Sequence, residues 1–529
     1  MNTSVVNKPA TGGASNTADQ SAKFDFNKFR LRTFMNHLAG IGELEVRDGP
    51  LQMTDITAII ENSPKAIHFK NVGPQKYEMF GGFIGNKRRL AAAFGLDDTK
   101  KVLPEYMRRL QNPQKVAEVP SSEAPVHEVV LKGDDIDLTQ LPFYLQHHLD
   151  GAPYISSAMD YTINPADGKP NVGCRRLMLR SKQELRCNLT QMSDLKRIYV
   201  AAAERKERLP LSFVIGAHPL DFMSAAIKVP MDEFQLVATM RGETLPMVRG
   251  ITNNIPVPAD AEMVLEGYLD ELGYSEKEGP YGELYGYYGP MHDDPVFHVT
   301  AITMRKDRLN HTVLHGGPQI RRNDASLIGG LSTEARVWQI LKQENFDIVD
   351  VHCPESATGL HICRVALKQK AAGDARRAIE ALFKMPLMRL IYIVDPDVDV
   401  HSHEAMDWAH CTRFRGDRDI MTEGGHFALT MDPTIDEQGK MVKVGYDFTA
   451  PFDAPPKIEN LLSFAPAINT AAKKQSIIET LTSGPKHFYQ LMEAAGTTDG
   501  RAITLELDVM RAEKTVGRTP DGLWCLTKG

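Results

Sequence analysis

Between Val126 and about Thr312 the chain is written in short runs that alternate apolar and polar residues, among them Tyr154-Ile155-Ser156-Ser157-Ala158-Met159, Val172 to Leu179, Leu211 to Gly216 and Val296 to Met304. A period of two places successive side chains on opposite faces of a strand, so these runs predict β-structure with at least one buried face. Turn clusters such as Asn164-Pro165-Ala166-Asp167-Gly168 separate them, which favours an antiparallel sheet or barrel, with a helical insertion from Met231 to Thr239. The flanks differ. Upstream, Phe29, Leu31, Phe34, Met35 and Leu38 recur at helical spacing until Gly40 and Gly42 stop them, and Gln111 to Pro125, with three prolines, reads as a linker. Downstream of Ile328, helical stretches (Leu331 to Glu344, Ala371 to Phe383) alternate with strand-like ones (His361 to Leu367, Leu390 to Val394), as an α/β domain requires. From Ser476 two helices and an Asp521-Gly522-Leu523-Trp524 hairpin look like a winged helix. The expected fold class is mixed α+β and α/β. Its divisions are a disordered leader (1–24), an N-terminal α/β region with linker (25–125), a β-rich domain (126–327), a C-terminal α/β domain (328–475) and a small tail (476–529).

Composition removes whole classes of partner. A formal net charge of -7 gives no general attraction to phosphate backbones or anionic lipid, and six basic against seven acidic residues after Ser476 leave the tail without a basic stripe. A packing or assembly role for the tail is favoured over DNA binding, and no nucleic-acid or membrane partner is expected. No apolar run approaches the ~18 residues of a membrane span. The first 22 residues lack the basic start and apolar core of a signal peptide. Six scattered cysteines without a C-x-x-C pair read as reduced thiols, so a cytoplasmic protein is expected.

Most local motifs have a bland reading that wins. Gly81-Gly82-Phe83-Ile84-Gly85-Asn86-Lys87-Arg88-Arg89 lacks phosphate-loop spacing and reads as a turn feeding a helix from Arg88 to Phe94. His147-His148 and His401-Ser402-His403 read as solvated loop histidines rather than metal ligands. The turn Glu278-Gly279-Pro280-Tyr281-Gly282-Glu283 is different, because its glycines let the backbone double back so that both carboxylates can converge. Tyr281, Tyr285, Tyr287 and Tyr288 supply surroundings that desolvate an acid, and a nearby arginine would pull the two pKa values apart. Taken alone, the turn reads equally well as solvated surface acids.

The combination is more specific. Asn171-Val172-Gly173-Cys174-Arg175-Arg176, Glu233 in Pro230-Met231-Asp232-Glu233, Val264-Leu265-Glu266-Gly267 and the acidic turn together resemble the UbiD family of reversible decarboxylases. The likeness extends through Leu141-Pro142, Asp150-Gly151-Ala152-Pro153-Tyr154-Ile155-Ser156-Ser157, Val394-Asp395-Pro396-Asp397-Val398-Asp399 and Trp408-Ala409-His410-Cys411-Thr412-Arg413. The resemblance implies a split β-barrel domain that binds prenylated flavin mononucleotide (FMN), a C-terminal α/β oligomerisation domain, and a homodimer or homohexamer. It puts the catalytic arginine at Arg176, the acid that holds it at Glu278 and the proton donor at Glu283. Arg175 is expected to face the other way. It implies a divalent metal, manganese or iron, at Asn171, Glu233 and Gln191, the last standing where the family has a histidine. Potassium lies nearby with Arg413 close to it. Ser157, Ser224, Ala225 and Arg389 are implied as further cofactor contacts. The implied reaction is decarboxylation of an aromatic acid or aryl-CoA thioester, phthaloyl-CoA being one candidate, with carbon dioxide released and a flavin prenyltransferase supplying the cofactor. Rival readings are an ordinary FMN oxidoreductase and a nucleic-acid-binding assembly protein acting through the tail.

Overall fold

The computed structural model describes residues 24–190, 193–318, 323–453, 463, 465–471 and 474–527. The chain divides into two compact units, Met1–Thr449 and Ala450–Gly529. In the first, the alternating runs form six strands: β1 (Tyr154–Ile163), β2 (Pro170–Leu179), β3 (Glu184–Cys187), β4 (Leu209–Ile215), β5 (Met263–Leu269) and β6 (Val296–Met304). They hydrogen-bond in the order β5-β4-β1-β2-β3-β6, and β6 pairs back onto β5, so the sheet closes into an antiparallel barrel without free edges. Alternate residues fill the interior: Leu209, Leu211, Phe213 and Ile215 from β4 meet Leu265, Phe297 and Ile302. The Phe213 and Phe297 rings stand edge to face with centroids 4.7 Å apart. The other face of β4 and β5, carrying Val214 and Val264, joins a second core shared with helices outside the barrel.

Those helices follow from the sequence periodicity. α1 (Leu31–Gly40) buries Leu31, Phe34, Met35 and Leu38 on one stripe. α2 (Pro219–Ala226) starts on proline, and α3 (Glu233–Arg241) is capped by Asp232, whose side chain accepts from Gln235 N–H. Both pack into the same core. The helix expected over Arg88 to Phe94 runs from Lys87–Ala93, with the Asn86 side chain accepting from Arg89 N–H as its N-cap. The N-terminal sheet is not built from N-terminal sequence alone. Strands Leu44–Arg47, Ala66–Val72 and Tyr77–Gly81 are completed by Asn310–Thr312, which pairs parallel with Tyr77–Gly81. Within 111–125, Val116–Glu118 pairs parallel with Leu245–Arg249.

A long helix, α4 (Asp324–Gln343), leads into a five-stranded sheet of β7 (Asp347–His352), β8 (Ile362–Lys368), β9 (Leu390–Val394), β10 (Ile420–Phe427) and β11 (Lys440–Phe448), ordered β7-β8-β9-β11-β10. Helices Asp374–Phe383 and His403–Arg413 flank it. The second unit holds three helices, Ile477–Thr482, Phe488–Ala495 and Arg501–Ala512, and a hairpin of Val516–Arg518 with Trp524–Leu526, around a core of Ile477, Leu481, Leu491, Ile503 and Leu507. Among the described residues no helix is long and apolar enough to cross a membrane.

Candidate active site

Arg176 and Arg175 are neighbours on β2, and the strand sends them to opposite faces. Arg175 turns to Asp160 on β1, with Nε 3.0 Å from Oδ1, and its Nη2 lies 3.3 Å from Ser193 Oγ. Arg176 turns to the acidic turn. Its Nε and Nη2 donate to Glu278 Oε1 and Oε2 at 2.8 and 2.9 Å, and its Nη1 donates to Glu283 Oε1. Its guanidinium lies 4.5 Å from the centroid of the Tyr281 ring. One planar fork therefore holds two carboxylates over an aromatic floor, a geometry that a lysine could not reproduce.

The turn is shaped from below by the segment around Asp150. Asp150 Oδ1 accepts from Gly282 N–H at 3.0 Å and Oδ2 from His147 N–H at 2.8 Å, while Gly151 N–H donates to Pro280 O at 2.9 Å. A side chain at Gly151 would put its Cβ 2.1 Å from Gly279 O, so only glycine permits this approach. Tyr154 OH accepts from Gly279 N–H at 3.2 Å, and the buried Tyr281 hydroxyl donates to Gln146. His147, expected in a solvated loop, instead packs edge-on to Tyr281 with its backbone N–H held by Asp150, while His148 stays exposed as expected.

Electrostatics separate the acids. Burial would raise the Glu283 carboxyl, but the charges and hydrogen bonds of Arg176 and His315 outweigh it and hold Glu283 at about 2. Glu283 is thus an anion in the site as it stands, and Arg176 stays charged. Two histidines complete the row, and neither was legible in the sequence. His315 Nε2 lies 3.6 Å from Glu283 Oε2, and His292 Nε2 lies 3.5 Å from Glu278 Oε2. Both come from segments downstream of the motif with no diagnostic spacing. The register that brings His292 opposite Glu278, in the pairing of Glu276–Glu278 with His292–Asp294, exists only in the fold.

The remaining expected residues form a second cluster on the Arg175 side of β2. Asn171 Nδ2 donates to Asp160 Oδ2 at 2.6 Å, and Glu233 accepts from Val172 N–H. Burial raises both Asp160 and Glu233, and the Asp160 charge adds to the shift of Glu233. An amide beside two carboxylates that repel one another is a donor set suited to a hard divalent cation. Gln191 lies outside the described residues. Ser157 Oγ donates to His311 O at 2.7 Å, at a bulge in β1, and Ser224 Oγ donates back to Leu220 O at 2.7 Å with Ala225 buried beside it. Both hydroxyls are therefore engaged within the protein. His311 is buried against Phe83, its centroid 4.4 Å away, and neither ring nitrogen has a hydrogen-bond partner among the described residues, so polar demand next to Ser157 is unmet.

Arg389 donates to Asp432 at 3.0 Å and to Thr434, and its backbone N–H bonds to His361 O. His361 stacks at 4.6 Å on Tyr285, in the segment that carries Glu283, which places Arg389 at the side of the site facing the C-terminal sheet. Arg413 is committed elsewhere: its fork is filled by Asp395 and Asp397 and its face by Trp408, and neither Asn171 nor Glu233 is among its partners.

Comparison with known proteins decides what this geometry belongs to. Residues 117–318 match the 3-octaprenyl-4-hydroxybenzoate carboxy-lyase Rift-related domain and residues 326–448 the corresponding C-terminal domain. The chain belongs to the UbiD family. It is therefore a carboxy-lyase, not the plain flavin oxidoreductase of the rival reading. Anhydromevalonate phosphate decarboxylase of Methanosarcina mazei is 28% identical over 421 residues, covering 79% of this chain and 95% of that protein. Among solved structures, the UbiD-class enzyme HmfF of Pelotomaculum thermopropionicum in complex with FMN superposes with a TM-score of 0.76 at 26% identity, over 82% of this chain and 97% of its own. An evolved dimeric form of the same enzyme carries prenylated FMN. Vanillic acid decarboxylase of Sedimentibacter hydroxybenzoicus gives a TM-score of 0.75 at 25% identity, over 83% of this chain and 96% of its own.

Proposed function

We propose that this UbiD-family enzyme reversibly decarboxylates an aromatic carboxylic acid or its aryl-CoA thioester, with phthaloyl-CoA a candidate substrate. The observation that carries the reading is the single Arg176 fork shared by Glu278 and Glu283. Loss of carbon dioxide from an sp² carbon leaves an electron pair with no low-energy orbital, and prenylated FMN, when bound, supplies the electron sink. Asn171 and Glu233, steadied by Asp160, hold the divalent metal, manganese or iron, with potassium nearby, and Arg389 serves the flavin phosphate. Arg176 orients the substrate carboxylate through its donor fork, with Glu278 keeping two of its nitrogens fixed.

The low pKa of Glu283 defines its part in the cycle. A substrate carboxylate competes with Glu283 for Nη1 of Arg176. Once displaced, Glu283 loses the Arg176 share of the interactions that kept it near 2, rises toward the value of a buried acid and takes up a proton, which it delivers to the carbon that carried the carboxylate. Binding of the acid thus arms its own proton donor.

Vanillic acid decarboxylase supports an aromatic substrate, and the anhydromevalonate phosphate enzyme favours a second reading, a phosphorylated acid. The test is carbon dioxide release by protein co-produced with a flavin prenyltransferase, offered hydroxybenzoates, heteroaromatic acids, phthaloyl-CoA and anhydromevalonate phosphate. Turnover of the last alone selects the second reading, and turnover of none removes both. We further propose that the C-terminal α/β region assembles a homodimer or homohexamer and that residues 476–529 act in packing, which light scattering of the full chain and of a chain ending before the tail will check.

A further inference from the structure

Six side chains form one row through the site: Asp294, His292, Glu278, Arg176, Glu283 and His315. Signs alternate along it if both imidazoles are charged. The Asp294 end belongs to neither the substrate fork nor the metal cluster. Asp294 is buried, accepts from Leu189 N–H at 3.0 Å and sits 3.2 Å from His292 Nδ1. His292 Nε2 lies 3.1 Å from Thr190 Oγ1 and 3.5 Å from Glu278 Oε2. A carboxylate oxygen faces each ring nitrogen at ion-pair distance, so a positive charge on the ring is favoured from both sides.

We propose that His292, backed by Asp294, is a positioning residue that adds a positive charge on the Glu278 side of Arg176 and thereby lets Arg176 receive an anionic carboxylate. The three carboxylates Asp294, Glu278 and Glu283 face Arg176 in the middle of the row and His315 at its Glu283 end. The His292 imidazolium supplies the matching charge at the Asp294 end before the substrate adds its own. The groups facing the ring agree with this assignment. Asp294 lies on its own strand, Glu278 on the paired strand, and among the described residues the segment after β3 brings the uncharged Thr190 and Asn188 to the ring. Arg176 on β2 is the one opposing charge, and burial also disfavours the cation, yet the two acids outweigh both and raise the His292 pKa. The imidazolium is present below that raised pKa and lost as pH rises through it. A purely structural histidine pinning Glu276–Glu278 to His292–Asp294 would leave carboxylate affinity independent of pH.

This inference rests on the decarboxylase reading, but its test does not require turnover. Cofactor-loaded full-length protein is titrated with sodium benzoate by calorimetry at about pH 6 and about pH 9, on either side of a raised imidazole pKa. The wild type is expected to bind about tenfold more weakly at the higher pH, the loss expected when one nearby charge is removed. His292→Gln should bind weakly at both pH values. His292→Lys, whose charge persists through this range, should bind at both as the wild type does at the lower one. Circular dichroism melts establish that each variant is folded. No benzoate binding by the wild type at the lower pH overturns the inference, as does the same pH dependence in His292→Gln or a His292→Lys no better than His292→Gln. If benzoate binds as expected and no acid releases carbon dioxide, the decarboxylase reading fails while the role of His292 stands.

Discussion

Replacing Glu283 by Gln separates the two roles proposed for this carboxylate. In the resting site the Arg176 and His315 charges move Glu283 from 4.5 to about 2, a stabilisation of the anion worth ~3 kcal/mol. A substrate carboxylate that takes over Nη1 of Arg176 must overcome part of that interaction. Gln keeps an oxygen able to accept from Nη1 but carries no charge, so the variant should bind substrate up to ~100-fold more tightly, the factor such an energy allows. It cannot deliver a proton, so turnover should fall by about two to four orders of magnitude, the range general-acid catalysis contributes. Equilibrium binding of the acid found in the turnover screen, measured with carbon dioxide release and with hydrogen exchange at the product carbon, reads both effects. A variant that binds more weakly than the wild type, or that exchanges the product proton at the normal rate, would refute the displacement argument.

Three further outcomes follow from other parts of the molecule. Manganese at a hundredfold excess over its Kd should stabilise the wild type by about 2.7 kcal/mol, visible as a raised Tm in scanning calorimetry, and both Asn171→Ala and Glu233→Gln should abolish the rise. Asp324, buried at the start of α4 with Oδ1 accepting from Ile84 N–H, is raised by burial from 3.8 to about 7. An acid with a raised folded pKa favours folding below its unfolded pKa and loses that contribution as pH rises through about 7, so Asp324→Asn should flatten the decline and gain up to ~4 kcal/mol at alkaline pH in urea unfolding. Equal stability of the two proteins across that range would contradict it. Phe297→Ala, which empties the barrel interior beside Phe213, should cost about 3–5 kcal/mol in the same assay.

The barrel was legible because period-two alternation survives even when both faces are buried: one set of residues in β4 and β5 fills the interior while Val214 and Val264 feed the outer core. The Arg176–Glu278–Glu283 grouping was legible only through the family resemblance, because the turn by itself reads equally well as solvated acids and nothing local ties it to Arg176. His292, His315, Asp160 and the packing of His147 against Tyr281 were not. Each depends on which segments the topology brings together, and a lone histidine or aspartate has no periodicity to announce it. The N-terminal sheet was only partly legible for the same reason, since its fourth strand, Asn310–Thr312, carries no local sign that it belongs with Tyr77–Gly81.

That fourth strand has a consequence for how the protein is made. Roughly 230 residues of synthesis separate Tyr77–Gly81 from its partner, and at about 5–20 residues per second the nascent chain spends ~10–50 s with one flank of its first sheet uncovered. A ribosome stalled, or a gene cut, between these two points would release a product bearing an open β edge, the kind of surface chaperones bind and aggregates recruit.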